Sequence, residues 1–202
     1  GESRESSKQR AKAKKLAYVE IPKPAEETFE EREAREFLNA RARKLQDLLV
    51  GLLADGTDSV RQTSMEALVF LTVQNSPEIV EDVLQHFLHW RGAVRDTALK
   101  TLVQITDRNH EKSIRMLCTC LEDPDPDVRR SASEWIPGRM PSEDNKLTRN
   151  ILMRELLKRL KSKSVEVRVL ACRALERTTE EGSEDAIVGL SKATEDGYSE
   201  VR

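Results

Sequence analysis

At 202 residues the chain is long enough for one or two globular domains or a single repeat array, but 38% hydrophobic against 35% charged side chains is a thin apolar supply for a compact sphere. Aromatic residues make up only 4%, which suits an elongated fold whose core is a narrow layer of aliphatic side chains. The net charge of −2 is unevenly spread: residues 1–15 hold six basic side chains against Glu2 and Glu5, which leaves about −6 on the remainder, a sign that disfavours duplex nucleic acid as a partner of the body.

Residues 1–15 are polar and charged without periodicity and read as a disordered basic tail. Ala17-Tyr-Val-Glu-Ile-Pro-Lys-Pro24 follows as an extended segment, because each proline restrains its predecessor. Residues 1–24 thus stand apart from an array over 25–202. One long helix is predicted from Thr28 to Leu53, opened by a capping box of Thr28 and Glu31. Its first half is acid-rich, while Leu45, Leu48, Leu49, Leu52 and Leu53 supply an apolar stripe. Phe29, Phe37 and Leu38 extend that stripe, either as a cap on the array or as a docking face.

Beyond this helix the dipeptide Val-Arg recurs at Val60, Val94, Val128, Val167 and Val201, at intervals of 34, 34, 39 and 34 residues. A fixed period of this size marks a solenoid of stacked helical units. Four residues after each Val comes a small side chain (Ser64, Ala98, Ala132, Ala171), and eight after it an aliphatic one (Leu68, Leu102, Ile136, Leu175). These positions share a helical face, so each Val-Arg opens a second helix whose neighbour can approach closely. Upstream, Val80, Val83, Leu84 and Phe87, then Ile114, Leu117, Cys118 and Leu121, then Met153, Leu156, Leu157 and Leu160 mark the first helices. Between them lie turns such as Asp55-Gly56 and Asp123-Pro-Asp-Pro126, which cannot continue a helix. Asp58, Ser59, Asp127 and Glu200 are placed to cap the helix that follows or to favour its positive end.

The pattern resembles the HEAT repeat family, especially its short HEAT-like units. In these a Leu-rich first helix is followed by a turn Asp, then Val-Arg, then small and Leu residues. Here Leu53-Ala-Asp55 precedes Val60-Arg61, Leu121-Glu-Asp123 precedes Val128-Arg129, and Asp196 precedes Val201-Arg202. The resemblance covers roughly residues 45–202 and rests on repetition. It implies an all-α, right-handed α-α superhelix of about five helix pairs, with Arg–Asp pairing between adjacent units. His89 and Ser162 stand where the turn Asp belongs, so that ladder is expected to break there. The Trp-Leu-Gly and Thr-Pro-Leu-His signatures of tetratricopeptide and ankyrin repeats are absent.

The longer interval follows from Pro137-Gly-Arg-Met-Pro141, which ends the third unit's second helix near Ile136. The loop over 137–145 is a place where partners dock on solenoids, or a tolerated insertion. A last first-helix is predicted over Ser183–Lys192, and Val201-Arg202 reads as the opening of its partner, hence as a fragment of a longer array.

No reacting constellation emerges. Cys118, Cys120 and Cys172 are odd in number and lack framework spacing, which points to a reducing, intracellular compartment, cytoplasmic ahead of nuclear. Cys118 and Cys172 fall on core stripes. No apolar run approaches the roughly 18 residues of a membrane span. His86 and His89 lie three apart without further ligands and read as surface or turn residues. His110-Glu111 occurs once, whereas iron-binding HEAT-like hydroxylases repeat such a pair. Neither a phosphate loop nor a nucleophile motif is present. No catalytic, cofactor or metal residue is therefore assigned.

The second helices expose Gln62, Asp96, Arg130 and Val169 two residues after each Val, and Glu66, Lys100, Glu134 and Arg173 six after it. Signs alternate, which suits a charged protein or peptide partner. The expected function is a non-catalytic interaction scaffold using Gln62, Glu66, Asp96, Lys100, Arg130, Glu134 and Arg173. The alternatives are cofactor handling in the manner of HEAT-like bilin lyases, or nucleic-acid binding through the basic tail.

Overall fold

The amphipathic periods of the sequence all become helices. The computed structural model describes residues 28–178 and 184–202, and the expectations for residues 1–24 lie outside them. The elements in order are α1 (Phe29–Leu52), α2 (Asp58–Leu71), α3 (Pro77–Gln85), α4 (Gly92–Ile105), α5 (Glu111–Cys120), α6 (Pro126–Trp135), α7 (Lys146–Arg159), α8 (Val165–Thr178) and α9 (Glu184–Ala193). Single 3-10 turns at His86–Leu88 and Pro137–Arg139 extend α3 and α6. Among the described residues, no helix is long and apolar enough to cross a membrane.

The capping box at the head of α1 is formed: the Thr28 amide donates to Glu31 Oε2 at 2.9 Å, and the Glu31 amide to Thr28 Oγ1 at 3.2 Å. These bonds hold the Glu31 carboxyl below its usual range. The chain divides into two units, one ending at Arg41 and the other comprising Ala42–Arg202. Every side chain from Thr28 to Ala42 is exposed, and Arg43 is the first to be half-buried. Phe29, Phe37 and Leu38 are 80%, 60% and 64% exposed. The leading stripe needs correction. Leu49 and Leu53 pack inward together with Val50, but Leu45, Leu48 and Leu52 remain 45%, 67% and 41% exposed.

The second unit is an all-α, HEAT-like solenoid of two helix rows. The second helices α2, α4, α6 and α8 pack side by side, and each of α4, α6 and α8 also packs on the first helix before it, α3, α5 and α7. Two clusters form the core. One joins Val50 and Leu53 to Met65, Leu68, Ile79, Val83 and Leu102; the other joins Leu99 and Val103 to Ile114, Leu117, Leu121, Ile136, Leu156 and Leu175. Helix α4 contributes to both and has nine buried residues. The small residues Ser64, Ala98, Ala132 and Ala171 are buried where the second helices meet, and so are the aliphatic ones four positions on. Each of those aliphatic side chains contributes roughly 1.5–3 kcal/mol of transfer free energy.

Helix α6 has only ten residues and ends where the proline-bearing segment predicts. Its start is set by Asp125, whose side chain accepts the Asp127 amide at 2.9 Å, with Pro126 in the first turn. Asp125, not Asp127, is therefore the cap.

Enlarging a buried small position tests this packing. Ala132→Leu should lower stability by about 1–3 kcal/mol through overpacking, while Glu134→Ala, exposed on the same helix, should stay within about 0.5 kcal/mol. Urea unfolding followed by circular dichroism measures both.

Candidate functional site

Within each repeat the two helices are joined by a turn in which two side chains always do the same work. The Arg of Val-Arg sends Nη1 back to the carbonyls that end the first helix of its own unit. Arg61 bonds Asp55 O at 2.8 Å, Arg95 bonds His89 O at 2.7 Å, Arg129 bonds Asp123 O at 2.7 Å, and Arg168 bonds Ser162 O at 2.9 Å. Arg202 does the same to Asp196 O at 2.5 Å. The residue five before each Val accepts the amide two positions on, whatever its identity. Asp55 accepts at 2.7 Å, Asp123 at 2.8 Å, Asp196 at 3.0 Å, His89 through Nδ1 at 3.1 Å and Ser162 through Oγ at 3.3 Å.

At Asp123 and Asp196 that residue also receives the Arg of the preceding unit. Arg95 donates Nε and Nη2 to Asp123 at 2.8 and 2.6 Å, and Arg168 donates the same pair to Asp196 at 2.7 and 3.0 Å. The bidentate bond to Asp123 raises the Arg95 pKa, and the bond from Arg168 holds the Asp196 carboxyl below its usual range. At His89 and Ser162 this rung is missing, as expected. Arg61 turns to Asp58 of its own helix, and Arg129 finds Glu166 at 2.6 Å. The cost is visible: Nε of both Arg61 and Arg129 is buried without a hydrogen-bond partner.

A second set of turns, linking one repeat to the next, was not read from the sequence. Asn75 sits at a φ of 63°, a left-handed conformation that Asn tolerates. Its Nδ2 donates to Asp107 Oδ2 at 2.6 Å, its Oδ1 accepts the Asp107 amide at 2.9 Å, and its amide donates to Ile105 O at 2.8 Å. Asn109 has the same role in the next unit, its Oδ1 accepting the Ser142 amide at 3.0 Å. Asn75 and Asn109 are 34 residues apart, a signal that the Val-Arg period already contained. Burial alone would raise the Asp107 carboxyl, but the bonds from Asn75 and Asn109 and the charges of His110 and Arg139 hold it below its usual range. The loop over 137–145 is bound into this network, because Arg139 Nη2 donates to Thr106 O at 3.0 Å and to Asp107 O, and Pro141 is buried. It is a stapled connection and not a free edge.

The residues singled out for binding lie on successive second helices: Gln62 and Glu66 on α2, Asp96 and Lys100 on α4, Arg130 and Glu134 on α6, and Arg173 on α8. The structure pairs them within their own helices. Gln62 Nε2 donates to Glu66 Oε1 at 2.7 Å, Lys100 meets Asp96 at 2.7 Å, and Arg130 meets Asp127 at 2.8 Å. Glu134 and Arg173 are exposed.

The sulfur and imidazole groups serve the fold. Cys118 and Cys120 are both buried, and burial pushes each thiol up to about 12, which leaves no thiolate for chemistry near neutrality. Cys120 thus joins the core although the sequence did not place it there, and Cys172 is only half-buried. His110 caps α5, its Nδ1 accepting the Ser113 amide at 3.3 Å. His86 Nδ1 faces Asp82 O at 3.2 Å. Among the described residues, no group of three or more His, Cys, Asp or Glu side chains gathers as a metal site requires.

Residues 45–136 match the HEAT repeats family. No curated protein matches the chain. Among solved structures, the chain is similar to an engineered protein at 19% identity, covering 77% of this chain and 74% of that one, with a TM-score of 0.46. It is similar to a designed armadillo repeat protein in complex with the peptide (KR)4 at 16% identity, 88% and 91% coverage and a TM-score of 0.45. Another designed armadillo repeat protein aligns at 18% identity, 81% and 82% coverage and a TM-score of 0.43.

Restoring the missing rungs should stabilise the array. His89→Asp and Ser162→Asp each supply a carboxylate for an orphaned Nε, and each should add about 0.5–1.5 kcal/mol, read as a higher urea midpoint. His110 supplies a pH test. Burial lowers its pKa from the ordinary 6.5, so below that value the unfolded chain binds the proton that the folded chain refuses. The stability contributed is complete above the unfolded value and is lost as pH falls. In thermal melts from about pH 7.5 to about pH 5.5, the wild type should therefore lose more stability than His110→Asn, which keeps a capping oxygen but does not titrate.

Proposed function

We propose that this chain, a HEAT-like repeat protein over the matched segment, is a non-catalytic scaffold that binds a protein or peptide along its second-helix row. The observation that carries the reading is how the row's charges are satisfied. Gln62–Glu66 and Arg130–Asp127 are exposed pairs within single helices, each worth only a few tenths of a kcal/mol, and Lys100 meets a half-buried Asp96. A partner that offers complementary charges exchanges such pairs at little cost, and alternating signs on adjacent helices select its register. The helices themselves are held by the turn arginines, of which Arg61 and Arg95 are buried and Arg129 and Arg168 half-buried, and these take no part in the surface exchange.

The non-catalytic reading is supported by the roles of the groups that chemistry would use. Cys118 and Cys120 are buried, and His89 and His110 accept backbone amides in turns and caps.

The test is affinity capture from native extract with the wild type and a Lys100→Glu, Arg130→Glu, Arg173→Glu variant, both checked for folding by circular dichroism. A protein retained by the wild type and weakened at least about tenfold in the variant is the expected result. Equal retention by both would overturn the second-helix row as the binding face.

A further inference from the structure

From Lys146 to Arg168 the chain carries eight basic side chains and two acidic ones, Glu155 and Glu166, although its net charge is −2. The fold uses up only some of this excess. Arg159 is buried against Glu155, and Arg168 holds Asp196. Arg154, Lys158 and Lys161 have the i, i+4, i+7 spacing of one helical stripe continuing from α7, and all three are exposed. With Lys192 of α9 they line a groove of about 800 Å³ between α7 and α9. None of the four forms an ion pair with a described residue.

The groove has an apolar lining between the cations, made by Met153, Leu157 and Val188. Gly189 brings the two helices together there: a Cβ at this position would lie 2.4 Å from Leu157 Cδ2. Val188 is 55% exposed, so apolar surface remains uncovered beside uncommitted positive charge. Among the described residues, two carboxylates also line the groove. Asp196 has both oxygens on Arg168, and Glu184 stands in the first turn of α9. The cations are therefore in excess.

We propose that this groove is a second binding site, on the first-helix row and separate from the second-helix row, for an acidic peptide segment that carries aliphatic side chains. Its carboxylates meet Arg154, Lys158, Lys161 and Lys192, and its aliphatic groups cover Met153, Leu157 and Val188. Charge complementarity selects the sign of the ligand, and the lining selects its class. A single-stranded nucleic acid needs aromatic platforms for its bases, and among the described residues no aromatic side chain lines the groove. A volume of this order accommodates a few side chains, as in size-limited ligand sites.

Fluorescence anisotropy of a labelled, amidated peptide of repeating Glu-Leu-Leu-Glu tests the proposal. Saturable binding is expected with a Kd on the order of 1–100 µM. It should weaken at least about tenfold in an Arg154→Glu, Lys158→Glu, Lys161→Glu variant and similarly in Val188→Glu, and it should be lost when the peptide's Glu residues are replaced by Gln. The Lys100→Glu, Arg130→Glu, Arg173→Glu variant should bind this peptide like the wild type, which separates the site from the one proposed above. No saturable binding would overturn the proposal. So would unchanged affinity in Val188→Glu, which would reveal loose charge attraction without a groove. A single-stranded oligonucleotide that displaces the peptide from the wild type and also binds Val188→Glu unweakened would assign the basic stripe to nucleic acid instead. All four substituted side chains are exposed, and if the triple variant fails to fold, Val188→Glu carries the test alone.

Discussion

The guanidinium group after each turn valine is the constraint on which the stacking depends. Its Nη1 closes the carbonyl end of the first helix in its own unit, a group that would otherwise be left without a partner. Its Nε and Nη2 are then free to reach the next unit, and in Arg95 and Arg168 they do so through a bidentate bond to an aspartate. One side chain thus fixes the angle between the helices of a pair and the distance to the following pair. Arg suits this role because its donors form a rigid fork that cannot lose its charge. The Asn75 and Asn109 turns do the corresponding work where one unit hands over to the next.

The two broken rungs show that these tasks are separable. His89 and Ser162 still accept the turn amide, so the local bend survives. What is lost is the bidentate bond from the arginine of the preceding unit, recorded as a buried, partnerless Nε on Arg61 and Arg129, although Arg129 still reaches Glu166 of the next unit through Nη2. The array is therefore graded, with bidentate latches after Arg95 and Arg168, a single ion pair after Arg129, and an Arg61 that bonds within its own unit. In a solenoid, where each unit touches only its neighbours, such junction terms decide local stability. The two rows of helices then differ in what they offer a partner. The second helices present self-paired charges of alternating sign, and the first helices near α9 present an excess of cations beside apolar surface.

Particular residues show how far the sequence could be read. The second helices, the early end of α6 and the missing rungs were legible, because each follows from spacing along one chain. The apolar stripe of α1 was read too broadly. Leu45 and Leu48 share α1 with Leu49, but only a neighbouring helix decides which arc of the cylinder is covered. Cys120 went unread as a core residue because it lies about 200° round the helix from Cys118, at the edge of a wide buried arc that also takes in Ser113, Ile114 and Leu117. The loop over 137–145 looked like a free insertion, since nothing local announces that Arg139 reaches Thr106.

By itself the sequence determined the repeat, its period, the helical class and the places where a rung is absent, because these are one-dimensional properties of a chain whose units contact only their neighbours. The tertiary structure alone decided which charges are spent and which are available. Lys100, Arg130 and Lys158 are equivalent as letters, yet the first two lie against carboxylates of their own helices and the third faces an open groove. Pairing depends on distances of a few ångströms between helices, and those distances exist only once the array has stacked.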